Sequence, residues 1–259
     1  MSYENIIYEK QNGVATITLN RPQALNAFTP PMNVELQDAL KNADADKSIR
    51  CFLITGSGRA FCAGQDLKGR SREQRGSLGD SLRQMYNPII LRLRRTEKIV
   101  IAAVNGVAAG AGCNLALASD LRIASEEAVF IQAFVKVGLA PDSGGSFILP
   151  RLVGLSKAME LLLLGEPVNA REALRIGLVT KVIASAEFPK AAQEMGERLA
   201  AGPRSIGLIK RAVNHAFLSD LENQLNYEAY LQELAGKSAD FDEGVQAFLE
   251  KRSPNFTGK

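Results

Sequence analysis

Apolar and polar positions follow two different rhythms along this chain, and the change from one to the other divides it. Residues 14–19 (V-A-T-I-T-L) alternate with the two-residue period of a strand that buries one face, and β-branched side chains fill the run. The dipeptide Asn12-Gly13 just before them is a turn signal, so residues 6–9 are expected to pair back as a hairpin. Residues 51–55 (C-F-L-I-T) and 100–104 (V-I-A-A-V) are short unbroken apolar runs closed by glycine or Asn-Gly, the pattern of strands covered on both faces. A further run, L-R-I-A, ends the segment 116–124. Helix-length segments lie between these at 31–45, 78–96 and 110–119, so the first half predicts βαβ units with right-handed crossovers. From Ser156 onward the rhythm is helical almost throughout, over 157–164, 170–176, 187–200, 203–218 and 221–235. An α/β core followed by a helical region is expected, and 259 residues suffice for one large domain with a helical appendage.

Composition removes several classes of function. No apolar run reaches the roughly 18 residues that suggest a membrane span, so no membrane insertion is expected. With 31 basic and 28 acidic residues the formal charge is +3, too even for a nucleic-acid binder, although small basic patches would suit a phosphorylated ligand. The three cysteines, Cys51, Cys62 and Cys113, have no C-x-x-C spacing, and there is one histidine. Neither a disulfide framework nor a zinc site is expected, and a reducing compartment fits. The first ten residues carry Glu4 and Glu9 and lack a secretory layout, so a cytoplasmic location is expected. Residues 68–79 (K-G-R-S-R-E-Q-R-G-S-L-G) are rich in charge and glycine and read as a solvated loop or as a basic ligand clamp.

Two glycine-bearing turns follow the buried strands, at 56–67 and 105–114. Such turns can aim free N–H groups at a ligand oxygen, above all where a helix begins, though many are only tight connections. Asp142, in Pro-Asp-Ser-Gly-Gly, has two readings: a turn former or helix N-cap, or a carboxylate with a raised pKa that moves protons. Phe134 reads first as core packing. Cys62 and Cys113, within the glycine-bearing turns, read as small buried hydrophobes, and His215 as a helix-surface residue.

Three motifs in order, N-R-P-x-A-L-N-A (20–27), F-C-A-G-x-D-L (61–67) and V-N-G-x-A-A-G-A-G (104–112), resemble the enoyl-CoA hydratase/isomerase (crotonase) family. The likeness continues through P-D-S-G-G-S (141–146), L-P-R-L-V-G (149–154) and F-L-E-K-R-S-P-N-F (248–256), and so spans the chain. It implies a crotonase (ClpP-like) spiral of ββα units over 1–200 and a C-terminal helical trimerisation region over 201–259, assembling as a homotrimer or homohexamer. It implies an acyl-CoA thioester substrate and no separate cofactor, because coenzyme A is part of the substrate. The backbone amides of Gln65 and Ala111 would form an oxyanion hole. Ala24, Ala63, Asp66, Leu67, Asn114 and Phe134 would line the substrate, and Phe248 and Lys251 would reach the CoA of a neighbouring subunit. On spacing alone those last two equally fit an amphipathic terminal helix.

The resemblance also marks a departure. Asn114 and Phe134 stand where the family's hydratases carry two glutamates, and neither side chain titrates usefully near neutral pH. Asp142 replaces a glycine of the hydratase pattern. The segment A-P-D-S-G-G-S with Asn114 most resembles the ring 1,2-epoxyphenylacetyl-CoA isomerases of phenylacetate breakdown, relatives of which shift enoyl-CoA double bonds. One carboxylate shuttling a proton is the expected chemistry. Hydratase-like and dehalogenase-like reactions and a non-catalytic CoA-ester-binding role remain as alternatives; the absence of tryptophan weakens the dehalogenase case.

Overall fold

In the computed structural model, which describes residues 3–67 and 76–259, the Asn12-Gly13 pair takes left-handed angles (φ 48° and 78°) and folds the first strand back on the second. The strands are β1 (Ile6–Gln11), β2 (Val14–Leu19), β3 (Cys51–Gly56), β4 (Ala60–Cys62), β5 (Ile99–Val104), β6 (Val107–Ala109), β7 (Leu121–Ser125), β8 (Val129–Ile131), β9 (Val168–Asn169) and β10 (Lys181–Ile183). The helices are α1 (Pro30–Ala45), α2 (Leu78–Ser81), α3 (Asn87–Arg95), α4 (Ala111–Ala118), α5 (Gly145–Val153), α6 (Leu155–Leu164), α7 (Ala170–Arg175), α8 (Phe188–Ala200), α9 (Ser205–Ala216), α10 (Leu221–Gly236) and α11 (Ala239–Glu250).

A six-stranded sheet runs β1-β2-β3-β5-β7-β10, parallel except for the β1–β2 hairpin, and a four-stranded sheet runs β4-β6-β8-β9. Three strands of the first sheet are each followed by a short strand of the second: β3 by β4, β5 by β6, β7 by β8. The chain therefore climbs as a spiral, and α4 closes one of its turns. The glycine turns contain β4 and β6, which are too short, at three residues each, to show a period. Helix α5 is equally hidden in the sequence, because two glycines open it and Pro150 lies inside it. The segment expected as one helix over 78–96 is divided by a π-helical turn, Leu82–Tyr86. Residues 68–75 of the charged loop lie outside the described residues.

Both faces of the large sheet are covered, which is why its strands read as unbroken apolar runs. Ile17, Phe52, Ile54, Val100 and Ala102 pack with Met32, Leu36 and Leu40 of α1 in one cluster. Their neighbours Val14, Cys51, Leu53, Ile99 and Ile101 face the other way, onto Phe188 and Ala192 of α8. Helix α1 starts where Thr29 accepts a hydrogen bond from the Met32 amide at 3.4 Å, with prolines in its first turn. No described helix is long and apolar enough to cross a membrane.

A buried lysine ties α9 to this core. The Lys210 ammonium donates to the carbonyls of Leu93 (2.7 Å) and Lys98 (2.9 Å) and pairs with Asp120 at 2.7 Å. Asp120 also accepts from the Val100 amide at 2.8 Å, so β5, β7 and α9 meet on one carboxylate. Removing one partner of a buried pair strands the other charge. Lys210→Met is expected to lower unfolding free energy by roughly 3 to 5 kcal/mol, read by chemical denaturation; a loss under about 1 kcal/mol, the range of exposed pairs, would contradict this account of α9.

Candidate active site

The three parallel short strands β4, β6 and β8 lie side by side, with Ala60 opposite Val107 and Ala109 opposite Ile131. Residues just beyond their C-terminal ends are therefore delivered to one place, and those residues are Gln65, Ala111 and the pair Gln132 and Phe134. Carboxyl ends of parallel strands are a common ligand position for this geometric reason.

After β4 the chain bends at Gly64, and Gln65 makes a single parallel bridge with Phe28. The Phe28 amide donates to the Gly64 carbonyl at 2.7 Å, and the Asp66 amide donates to the Phe28 carbonyl at 2.9 Å. Extended backbone alternates its directions, so the Gln65 N–H between them points away from Phe28. After β6, Gly110 (φ 50°) gives its own N–H to the Ile131 carbonyl at 2.9 Å, and α4 begins at Ala111. An amide in the first helical turn has no acceptor within the helix and sits at the positive end of its dipole. Gly64 brings the two together. It has φ 90°, and a methyl group on it would lie 2.9 Å from the Ala109 carbonyl oxygen and 3.6 Å from the Ala111 nitrogen. Two preorganised N–H groups that converge on one point are a means to hold an oxyanion, and the Gln65 and Ala111 amides are the candidates for that pair.

The motif residues around these turns are mostly braces. Asn26, fully buried with φ 56°, donates through Nδ2 to the Ser57 (2.9 Å) and Ala60 (2.7 Å) carbonyls and accepts the Arg21 amide at 2.8 Å. Arg21 reaches on to Asp66, pairing at 3.0 Å. The Asp66 carboxylate, expected to line the substrate, is thus held by Arg21. Ala24 ends a 3-10 turn, Pro22–Ala24, and Ala63 donates its amide to Leu25 at 3.0 Å. Leu67 is exposed.

Asp142 is drawn to α4 by Asn114. That side chain is completely buried, and its Nδ2 donates to the Asp142 main-chain carbonyl at 2.8 Å. Asn114 lies three residues after Ala111, about 4.5 Å along the helix axis, so the carboxylate's turn is fastened within one helical turn of the amide. Gly145 makes room, since a methyl group there would come 2.3 Å from Asn114 Nδ2. Ser143 is held in the left-handed region (φ 49°) and donates its hydroxyl to Asp142 Oδ1 at 2.8 Å. Burial pushes the Asp142 carboxyl above the usual aspartate range, and the Ser143 hydrogen bond pulls it part of the way back.

Phe134 is buried, and its ring lies 3.8 Å from where a Gly110 Cβ would be, so it walls the oxyanion turn with hydrocarbon. Cys62 and Cys113 are buried, and burial pushes both thiols up to about 12, which keeps them un-ionised and unreactive. His215 sits in a helix contact rather than on an open surface: it stacks on Tyr227 at 4.1 Å and hydrogen-bonds Gln224 at 2.9 Å. Phe248 and Lys251 are exposed at the end of α11. Phe248 lines a separate cavity of about 350 Å3 with Phe241, Val245 and Phe256, which no residue of the oxyanion turns lines. Gln132 joins the site from outside every motif, while Gly64 and Ser143 lie within motifs that gave them no individual role. The only signal for Gln132 is a buried amide closing the apolar strand V-F-I.

A profile of the enoyl-CoA hydratase/isomerase family matches residues 9–259. The chain is 48% identical over 260 residues to a 1,2-epoxyphenylacetyl-CoA isomerase of Escherichia coli, covering 99% of each. It is 39% identical over 267 residues to a crotonyl-CoA hydratase of Syntrophomonas wolfei, covering all of both. Among solved structures, an enoyl-CoA hydratase of Bacillus anthracis superposes with a TM-score of 0.93 at 34% identity, covering 99% of this chain and 100% of that one.

A carboxyl raised in the folded state favours its protonated form there. Its contribution to stability is complete below the unfolded pKa and is lost as pH rises through the folded one. Asp142→Asn resembles the protonated form at every pH. The variant is expected to melt higher than the parent at pH 7 to 8, with the gain shrinking as pH falls toward the ordinary aspartate range. A lower melting temperature at pH 8 would show that the carboxylate is stabilised where it stands.

Proposed function

This chain belongs to the enoyl-CoA hydratase/isomerase family, and within it we propose that it isomerises acyl-CoA thioesters with Asp142 as the single proton shuttle. The observation that carries this reading is the tether of Asp142 to α4, within one turn of the Ala111 amide, with a carboxyl raised by burial. The side chains at the two positions of the family's hydratase glutamates, Asn114 and Phe134, carry no exchangeable acid proton, which leaves one base for one proton. The most similar curated relatives include the 1,2-epoxyphenylacetyl-CoA isomerase, so ring 1,2-epoxyphenylacetyl-CoA and 3-enoyl-CoA thioesters are the substrates we favour.

For an enoyl thioester the steps balance without a further reagent. The ionised Asp142 removes a proton alpha to the thioester carbonyl, and the electron pair moves onto the thioester oxygen. The resulting dienolate is held by the Gln65 and Ala111 amides, each such donor being worth roughly 3 to 4 kcal/mol in comparable sites. Protonation of the gamma carbon by the carboxylic acid collapses the dienolate, moves the double bond and restores the carboxylate. The proposal needs no metal or redox cofactor, since coenzyme A arrives with the substrate. Ala24, Ala63, Leu67 and Phe134 would shape its path, and Phe248 and Lys251 would meet the CoA of a neighbouring copy. A homotrimer or homohexamer in the cytoplasm completes the reading, and the assembly is supported by the apolar side chains Leu218, Leu221, Phe248 and Leu249, each 69% exposed or more.

Water addition is the second reading, favoured by the crotonyl-CoA hydratase among the relatives. The assay that separates them follows a 3-enoyl-CoA, ring 1,2-epoxyphenylacetyl-CoA and crotonyl-CoA side by side. Isomer formation from at least one of the first two is expected, falling by about 100-fold or more in Asp142→Asn, as for loss of a general base. The acid limb of the rate profile should lie above the ordinary aspartate range, because the raised carboxyl must ionise to accept a proton. Hydration of crotonyl-CoA that Asp142→Asn leaves intact, with no isomer formed, would overturn the proposal.

A further inference from the structure

We propose that Gln132 is a positioning residue: acting through Asn114, it sets the direction of a hydrogen-bond chain that ends on the Asp142 main-chain carbonyl and holds the turn bearing that carboxylate. This rests on Asp142 being the base, as proposed for the isomerisation. A carbonyl oxygen only accepts, so Asn114 must turn its Nδ2 to Asp142, at 2.8 Å. Asn114 Oδ1 then faces the other way and requires a donor, and Gln132 supplies its Nε2 at 2.9 Å. The chain has one workable direction, Gln132 to Asn114 to Asp142.

The cost of that direction is visible at its far end. Gln132 is 4% exposed, and its Oε1 has no hydrogen-bond partner among the described residues. Buried amide oxygens are nearly always paired. Turning the amide over would set two oxygens against each other at the Asn114 contact, so the unpaired Oε1 is the result of keeping the donor toward Asn114. The same strand end also fixes the other half of the site, since the Ile131 carbonyl receives the Gly110 amide at 2.9 Å. The end of strand β8 thus sets Ala111 through Ile131 and Asp142 through Gln132, and the spacing between donor amide and base is held by two adjacent residues.

Gln132→Met keeps length and removes the donor. Gln132→Glu places an acceptor there at neutral pH, opposing the Asn114 oxygen. Both are compared with the parent and with Asp142→Asn for kcat, KM, the kcat–pH profile and hydrogen exchange of the Gly145 amide, which donates to the same Asp142 carbonyl at 2.9 Å. We expect kcat to fall about 10- to 100-fold, the effect of a small misplacement of a reacting group, with KM within about threefold of the parent, because no contact to the CoA portion is touched. The acid limb of the profile should shift, Gly145 should exchange faster, and the glutamate variant should be the slower of the two at neutral pH and recover toward the methionine variant as acid restores a donor. Parent-like kcat, pH profile and Gly145 exchange in Gln132→Met would overturn the inference, as would faster exchange with unchanged kcat. Turnover undiminished in Asp142→Asn would instead remove the catalytic reading, and Gly145 exchange alone would then decide whether Gln132 holds the turn.

Discussion

Passing one chain repeatedly between two sheets requires sharp corners, and a corner leaves carbonyl groups that no strand pairs. This constraint governs the molecule. At the corner from β3 to β4 the carbonyls of Ser57, Gly58 and Ala60 are met by two asparagines, Asn26 from the opening motif and Asn105 from the next corner. Asn105 also accepts the Gly56 amide at 3.1 Å. An amide side chain both donates and accepts, which is what a corner with both kinds of orphan group demands. Without these braces the small sheet would lack fixed starting points, and the three strand ends that build the site would not share a plane.

The site is a product of that scaffold more than of any reactive side chain. On the proposed reading its electrophilic half consists of main chain: one amide turned outward beside Phe28, one in the first turn of a helix. Its proposed basic half is a single carboxyl whose turn is fastened to the same helix. On the proposed reading the family's chemistry is selected by Asn114, three residues after the start of α4, by Phe134, three residues past β8, and by Asp142, while the two glycine-bearing turns stay as they are.

Much of this is legible in the residues. The hairpin, the buried strands β3 and β5, helix α1 and the C-terminal helices all announce themselves by period and by turn chemistry, because burial on one or both faces leaves a repeating trace. The four strands of the small sheet leave none, being two or three residues long and mostly set among alanine and glycine. Asp142 and the two amides stand out by motif likeness, and the structure supplies the part a motif cannot: why Gln65 faces outward and how Asp142 is tied to α4. The link from Gln132 through Asn114 to Asp142 spans steps of 18 and 28 positions and obeys no local rule, so nothing in the sequence points to it. Asp66 shows the opposite limit, since a carboxylate in a ligand-like motif is engaged with Arg21.

The aromatic wall that Phe134 raises against Gly110 has a consequence for where hydrogen atoms travel. Hydrocarbon stores no proton and passes none on. If Asp142 is the base, a hydrogen it lifts from a carbon meets hydrocarbon at that wall, and the Ser143 hydroxyl at 2.8 Å is the neighbouring side chain with which it can exchange. Short of that exchange it waits on the oxygen that took it until a carbon of the same molecule receives it, on the same face it left. Such a site would keep an isotopic memory, with a deuterium placed at the first carbon reappearing at the second in preference to hydrogen from the solvent.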